Sequence, residues 1–429
     1  MGIAILILMA VGVLLMLTRI LPTAFALALL ALGIALISGS PLTGAKDSIL
    51  TGVLQNGAIT LAATMIAVLL GSWLGTLLDQ TGIGGTLVRK IVEFGGERPA
   101  VVALGVFAVS ILCGSITGSA PAAMLAGVIG IPAMIAVGLR PVAAAGTVLM
   151  GISAGSPLEL PVWQFMSDAL GAPVSEVRTV MIRLFPIALV VGIAYVLVQT
   201  RRGARHAWAV QLDRPKARVR RGDAPWYALV TPLIPIVLAL GLTVPIVPSL
   251  LAGVVYALIT TTKWGDLNER ALRSLYKGFE VAAPPIALFV AIGMLLAAVK
   301  LPGAKTALTP IVAAISPSGP IWFVIVFAAL VPLCLFRGPL NVFGLGAGVA
   351  GVLVTGGIYP LTAVVGLMAS YNQVFSVSDP TSTQTVWAAQ YAGVRPERSM
   401  LSTLPFTWLV GLGGMVLTAV LYLWVDHPL

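Results

Sequence analysis

The chain has 429 residues, 59% of them hydrophobic and 9% charged, with 25 Lys and Arg against 15 Asp and Glu. Soluble domains carry about 25% charged residues, so this composition excludes an ordinary soluble enzyme and places the chain in a bilayer. There the net charge of +10 reports topology, not nucleic-acid binding.

The chain opens on an apolar stretch with no basic leading segment or cleavage site, which runs straight into a second at Leu21 to Ser38. It reads as a retained helix, not a signal peptide. A spanning helix needs about 20 apolar residues, and the charge-free run from Ser48 to Leu78 supplies one. Pro99 to Leu139 is also free of charge, but GSITGSAP (Gly114 to Pro121) breaks it. Each arm is then about 15 to 18 residues, roughly 22 to 27 Å at 1.5 Å per residue. That is short of a hydrocarbon core of about 30 Å, so a re-entrant hairpin over about 99–139 fits better than two crossings. An interrupted helix over about 142–170 follows, broken at SAGSPLELP (Ser153 to Pro161).

The most polar segment, Arg201 to Ala224, carries eight Lys or Arg residues against Asp213 and Asp223 and divides the chain. Beyond it, Pro320 to Leu333 enters, CLFRGPLN (Cys334 to Asn341) turns, and Val342 to Gly356 returns, giving a second hairpin over about 320–356. A second interrupted helix over about 361–393 breaks at SVSDPTST (Ser376 to Thr383). Cys113 and Cys334, Pro141 and Pro360, Pro157 and Pro380, Trp163 and Trp387, Gly171 and Gly393 lie 221, 219, 223, 224 and 222 residues apart. Landmarks in the same order within so narrow a band indicate an internal repeat. The expected fold is therefore an all-α polytopic membrane protein of two repeats, 1–200 and 225–429. Each has five spanning helices, one of them interrupted, and one hairpin.

Five crossings per half force the second half to be inverted. With the 201–224 linker in the cytoplasm, 19 basic residues fall inside and only Lys46, Arg178, Arg183, Lys300 and Lys305 outside, with Arg337 left in a hairpin. Both termini are then external. Inverted repeats with broken helices are characteristic of secondary transporters, because irregular backbone is tolerated at membrane depth only where protein encloses it.

Intramembrane charge is costly and points to function. Arg337, at the second tip, is the expected contact for a carboxylate, with snorkelling as the alternative. Ser115, Thr117, Ser119 and Asn341 at the tips, and Ser156 and Thr383 at the breaks, either bind substrate or satisfy backbone. Asp379 precedes Pro380 and is either a helix cap or, with Ser378, Thr381 and Ser382, a ligand for a hard cation, which wants several oxygens. Glu159 and Ser153 are the first-half counterparts, unless Glu159 only reaches interfacial water. No metal beyond a coupling Na+ and no cofactor is expected. His206 and His427, the only histidines, lie in the linker and at the C-terminus, and no GxxxxGK[ST] pattern occurs. Neither an intramembrane enzyme nor ATP-driven transport is expected, so the energy source is an ion gradient.

GSITGSAPAAMLAGVIGIPAM (Gly114 to Met134), LGAPVSEV (Leu170 to Val177) and DPTSTQTVWAAQYAGVRPERS (Asp379 to Ser399) resemble the large membrane subunit of tripartite ATP-independent periplasmic (TRAP) transporters. That subunit belongs to the ion transporter superfamily, with dicarboxylate, citrate and gluconate carriers. The resemblance implies a scaffold and a mobile transport domain, elevator motion, often a homodimer, and sodium-coupled uptake of small organic acids. By position, Ser115, Thr117, Gly118 and Ser119 fall at its first hairpin tip and Ser156 and Pro157 at its first break. The expected function is inner-membrane secondary transport of a small organic anion (a di- or tricarboxylate or a sugar acid) coupled to Na+ or H+. The rivals are a cation/proton antiporter on the same fold and a TRAP subunit that needs a soluble binding protein and a small membrane subunit.

Overall fold

A computed structural model describes residues 1–18, 20–44, 47–116, 120–203 and 223–425. Among them every regular element is helical, as lipid demands of a backbone that must satisfy its own hydrogen bonds. Thr117, Gly118 and Ser119 of the first hairpin tip and residues 204–222 of the linker lie outside the described residues.

The first half begins with α1 (Gly2–Leu17) and α2 (Thr23–Ile37). A π-helical segment, Ile49–Asn56, leads through α3 (Gly57–Ile59) into α4 (Ala62–Gln80), followed by the amphipathic α5 (Ile83–Gly95). The hairpin arms are α6 (Pro99–Ile116) and α7 (Ala120–Ala136). The interrupted helix is α8 (Pro141–Gly155) and α9 (Leu160–Leu170), and α10 (Val174–Gly203) closes the half. The second half contains α11 (Leu233–Gly241), α12 (Ile246–Thr261), the long α13 (Leu267–Lys300) and α14 (Pro302–Ile315). Hairpin arms α15 (Pro320–Ala329) and α16 (Leu345–Thr355) come next, then α17 (Leu361–Ser378), α18 (Thr383–Tyr391) and α19 (Pro396–Thr418).

Among the described residues, six helices are long and apolar enough to cross a membrane, or seven if α14 and α15, bent by 98°, act as one. Shorter apolar helices, α1, α2, α7, α12 and α16, accompany them. The chain is a multi-pass membrane protein of the expected all-helical class.

The second hairpin departs from the expected arms. Its first arm ends at Ala329 and continues as a 3-10 turn, Val331–Cys334, and the second begins at Leu345 instead of Val342. Pro332 accounts for the early end, since it lacks an amide donor and crowds the preceding turn. At the tip, Phe336 and Arg337 adopt left-handed φ values of +53° and +57°, which costs a residue with a Cβ about 1–2 kcal/mol.

Helix contacts sort the molecule into two bodies. In one, α13 packs on α2 and α4, α12 on α4 and α11, and α1 on α2 and α14. In the other, α8 packs on α6, α7 and α10, α17 on α19, and α18 on α7. The two meet where α4 contacts α6, α7 and α9 and where α13 and α14 contact α16.

Candidate functional site

Both interrupted helices break in one way. Glu159 stands between α8 and α9 with φ −77° and ψ 107°, and Asp379 follows α17 with φ −78° and ψ 118°. Pro380 favours this extended backbone at Asp379, because its ring disfavours helical geometry in the residue before it. Each break frees carbonyl groups, and side chains of the following half-helix answer them. Trp163 Nε1 donates to Pro157 O at 2.9 Å. In the second half Thr385 Oγ1 donates to Val377 O at 2.9 Å, and Gln384 Nε2 donates to Ser376 O. Beyond each half-helix the chain turns on a left-handed glycine, Gly171 at φ +73° and Gly393 at φ +69°, the usual device for ending a helix.

The two interrupted helices are tied together where they cross. Ser153 Oγ donates toward Gln373 O (3.2 Å) and Gln373 Oε1 (3.1 Å). Ser156 Oγ accepts from Asn372 Nδ2 at 2.8 Å and Gln373 Nε2 at 3.2 Å. All four residues are buried.

Asp379, 2% exposed, braces the second hairpin. One carboxylate oxygen accepts from Thr381 N (2.8 Å) and Thr381 Oγ1 (2.7 Å), and the other from the backbone N–H of Arg337 at 3.2 Å. The strained tip is thus held from the break. Asn341 staples the same tip, donating to Cys334 O at 3.2 Å and accepting from Phe343 N at 3.0 Å. Ser382 Oγ donates to Asp379 O at 2.9 Å.

These elements enclose a cavity of about 460 Å³ between the two bodies. From the body of α2, α4 and α13 its described lining residues carry no charge: Thr23, Ala24, Val68, Gly71, Ser72, Pro284, Pro285, Leu288 and Phe289. From the other body come Glu159, Arg337 and Asp379 and the neutral polar groups Ser156, Asn341, Asn372, Ser376, Thr381, Ser382, Thr383 and Gln384. Phe165, Phe289, Phe343 and Phe375 also line it, with ring centroids 4.9 Å apart for Phe165 and Phe343 and 5.5 Å for Phe343 and Phe375.

Of the residues singled out from the sequence, Arg337, Asn341, Ser156, Thr383, Asp379, Thr381, Ser382 and Glu159 therefore line one cavity. Three others are buried away from its lining. Ser115 Oγ donates to Leu112 O at 2.8 Å, Ser153 serves the helix crossing, and Ser378 Oγ shares hydrogen bonds with Thr403 and Thr407 at 2.9 and 2.7 Å. Thr117 and Ser119 lie outside the described residues. Asn372, Ser376 and Gln384 were not anticipated as ligands. An Asn-Gln pair in the middle of a charge-free helix was the available signal for the first. Ser376 Oγ, buried among described residues, has no hydrogen-bond partner there and so leaves a donor and an acceptor for a ligand.

The sequence matches the family described as tripartite ATP-independent periplasmic transporter, DctM component, over residues 6–424. Against curated proteins it gives no match. Among solved structures it is similar to the Alcanivorax borkumensis YdaH transporter, at 17% identity and a TM-score of 0.62, covering 93% of this chain and 98% of that one. It is also similar to Neisseria gonorrhoeae MtrF, described with a class of antimetabolite efflux pumps, at 14% identity and a TM-score of 0.59, covering 94% and 96%. At these identities the likeness shows the fold.

Proposed function

The chain belongs to the family of DctM components of tripartite ATP-independent periplasmic transporters, a transport protein and not an enzyme, and from that premise we propose that it carries a small organic anion across the bacterial inner membrane. The anion class is a di- or tricarboxylate or a sugar acid, and the coupling ion is Na+ or H+. The observation that carries this reading is that both helix breaks and Arg337 line one cavity. The guanidinium forms no ion pair among the described residues, so its fork remains for a carboxylate.

The oxygens at the second break suit a hard cation. Ser376, Thr381, Ser382 and Thr383 offer hydroxyls around Asp379, and such oxygens in number are what Na+ requires. Among the described residues, every charged group of the lining comes from the body that holds the hairpins and interrupted helices. That division favours an elevator, in which this body carries the bound anion past the uncharged wall of α2, α4 and α13. We further propose that residues 1–200 and 225–429 are inverted repeats joined by a cytoplasmic linker, and that the chain works as a homodimer with a soluble binding protein and a small membrane subunit.

The presence of two carboxylates, Glu159 and Asp379, beside one arginine favours a second reading, cation/proton exchange on the same fold. Proteoliposomes of the purified chain, offered a panel of radiolabelled carboxylates with and without a Na+ gradient, separate the two. Gradient-dependent carboxylate uptake is the expected result, with the partner components added in a parallel set. Proton flux driven by a cation gradient, with no carboxylate uptake in either set, would replace the anion reading by the exchanger.

A further inference from the structure

A second cavity, of about 900 Å³, lies away from the first, where α8 and α19 begin and α10 ends. Its polar lining is Arg140, Gln199, Arg398 and Ser402, and its apolar lining includes Val142, Leu401 and Phe406. None of the described lining residues is acidic, and neither arginine forms an ion pair among the described residues. Arg140 is oriented by a chain of hydrogen bonds. Its Nη2 donates to Gln199 Oε1 at 2.9 Å, Gln199 Nε2 donates to Ser402 Oγ at 3.2 Å, and Ser402 Oγ shares a hydrogen bond with Tyr195 OH at 2.9 Å. Gln199 is only 4% exposed, so the floor of the cavity is a built polar surface.

The helix starts add positive potential here. Arg140 immediately precedes the first turn of the 15-residue α8, and Arg398 sits in the first turn of the 23-residue α19, so the positive ends of both helix dipoles lie at the cavity, that of α19 offset by Glu397 in the same turn. An anion is the complementary charge. The apolar walls argue for one particular source of it: a free phosphate has nothing to set against Val142, Leu401 and Phe406, whereas a phospholipid brings acyl chain and glycerol to those side chains and phosphate to the arginines. Basic pockets between membrane helices recognise anionic headgroups in this way.

We propose that this cavity binds an anionic phospholipid, with Arg140 and Arg398 on the headgroup phosphate. The test uses the purified full chain in detergent and native mass spectrometry, with phosphatidylglycerol, phosphatidylcholine or inorganic phosphate added. The wild-type chain is expected to retain phosphatidylglycerol in preference to phosphatidylcholine, and the Arg140→Gln/Arg398→Gln double variant to lose that preference by about tenfold or more. The Arg140→Lys/Arg398→Lys variant, with the charges kept, is expected to retain much of the preference, and far-UV circular dichroism of each variant confirms that it is folded. Equal retention of both lipids by the wild type overturns the proposal. So does an undiminished preference in the folded double variant. Displacement of phosphatidylglycerol by millimolar inorganic phosphate would show that the cavity takes a free anion, and the lipid assignment would fall.

Discussion

Arg337 combines two costs that a chain accepts only for a return. Its guanidinium is a charge within an apolar run, and its backbone is left-handed at φ +57°. The two can be separated by mutation. Arg337→Ala should weaken anion affinity by at least roughly tenfold, since a buried charged hydrogen bond is worth about 2–5 kcal/mol. Arg337→Lys should recover part of that affinity, because an ammonium lacks the planar fork. Arg337→Gly should lose affinity like Ala yet raise the unfolding midpoint, since glycine adopts φ above zero freely. Uptake kinetics and thermal unfolding of the three variants check these outcomes, and wild-type affinity in Arg337→Ala would make the residue an interfacial anchor. Asp379→Asn makes the second residue-scale prediction. One asparagine oxygen can still cap Thr381, but its amide group would meet the Arg337 N–H donor to donor. The variant should lose steepness or affinity in its Na+ dependence, read as uptake against Na+ concentration, and unchanged Na+ dependence would leave Asp379 as a brace alone. Both residues were legible in the sequence because charge inside an apolar run stands out. Asn372, Gln373 and Gln384 were not, since a neutral amide in a helix gives no sign of which neighbour will satisfy it.

At the scale of elements, the breaks and hairpins were legible because proline, glycine and hydroxyl residues interrupt long apolar runs. What pattern alone does not reveal is which helix will lie against which, and one contact between the two bodies depends on that. The cap position of α4 is Leu61, which has no side-chain acceptor, yet the third amide of a helix needs one. Asp168 of α9 supplies it from 104 residues away, accepting from Thr64 N at 3.0 Å and Thr64 Oγ1 at 2.7 Å, while its other oxygen accepts from Gln164 Nε2 at 2.8 Å. The bond joins helices that both line the central cavity, one from each body. Asp168→Ala should therefore destabilise the protein by about 1–2 kcal/mol, within the range for a lost helix cap. Asp168→Asn, which keeps one acceptor, should lose less. Equilibrium unfolding in detergent measures both, and a wild-type midpoint for Asp168→Ala would mean that water replaces the carboxylate at no cost.

Across the whole molecule, the proposed inversion of the two halves rests on counting charges, and two contacts bear on where the linker ends. Asp223, at the end of the linker, pairs with Arg89 of α5 at 2.9 Å, and Ala224 N donates to Thr86 Oγ1 at 3.0 Å. The described end of the linker, Asp223 and Ala224, therefore lies against α5 beside Arg89, the side-sharing that the positive-inside count requires of Arg89 and that end. The turn between α14 and α15, where Ser318 is exposed, should lie on the opposite face if the second hairpin opens outward. Cysteines placed at His206 and at Ser318 convert this into a measurement. The native Cys113 and Cys334 are both buried and contribute little background. In intact spheroplasts a membrane-impermeant maleimide should label Ser318→Cys and spare His206→Cys, and lysis should make His206→Cys reactive. Labelling of His206→Cys before lysis would put the linker outside, reverse the assignment of all 19 basic residues counted as internal, and leave the inverted-repeat proposal without its electrostatic support.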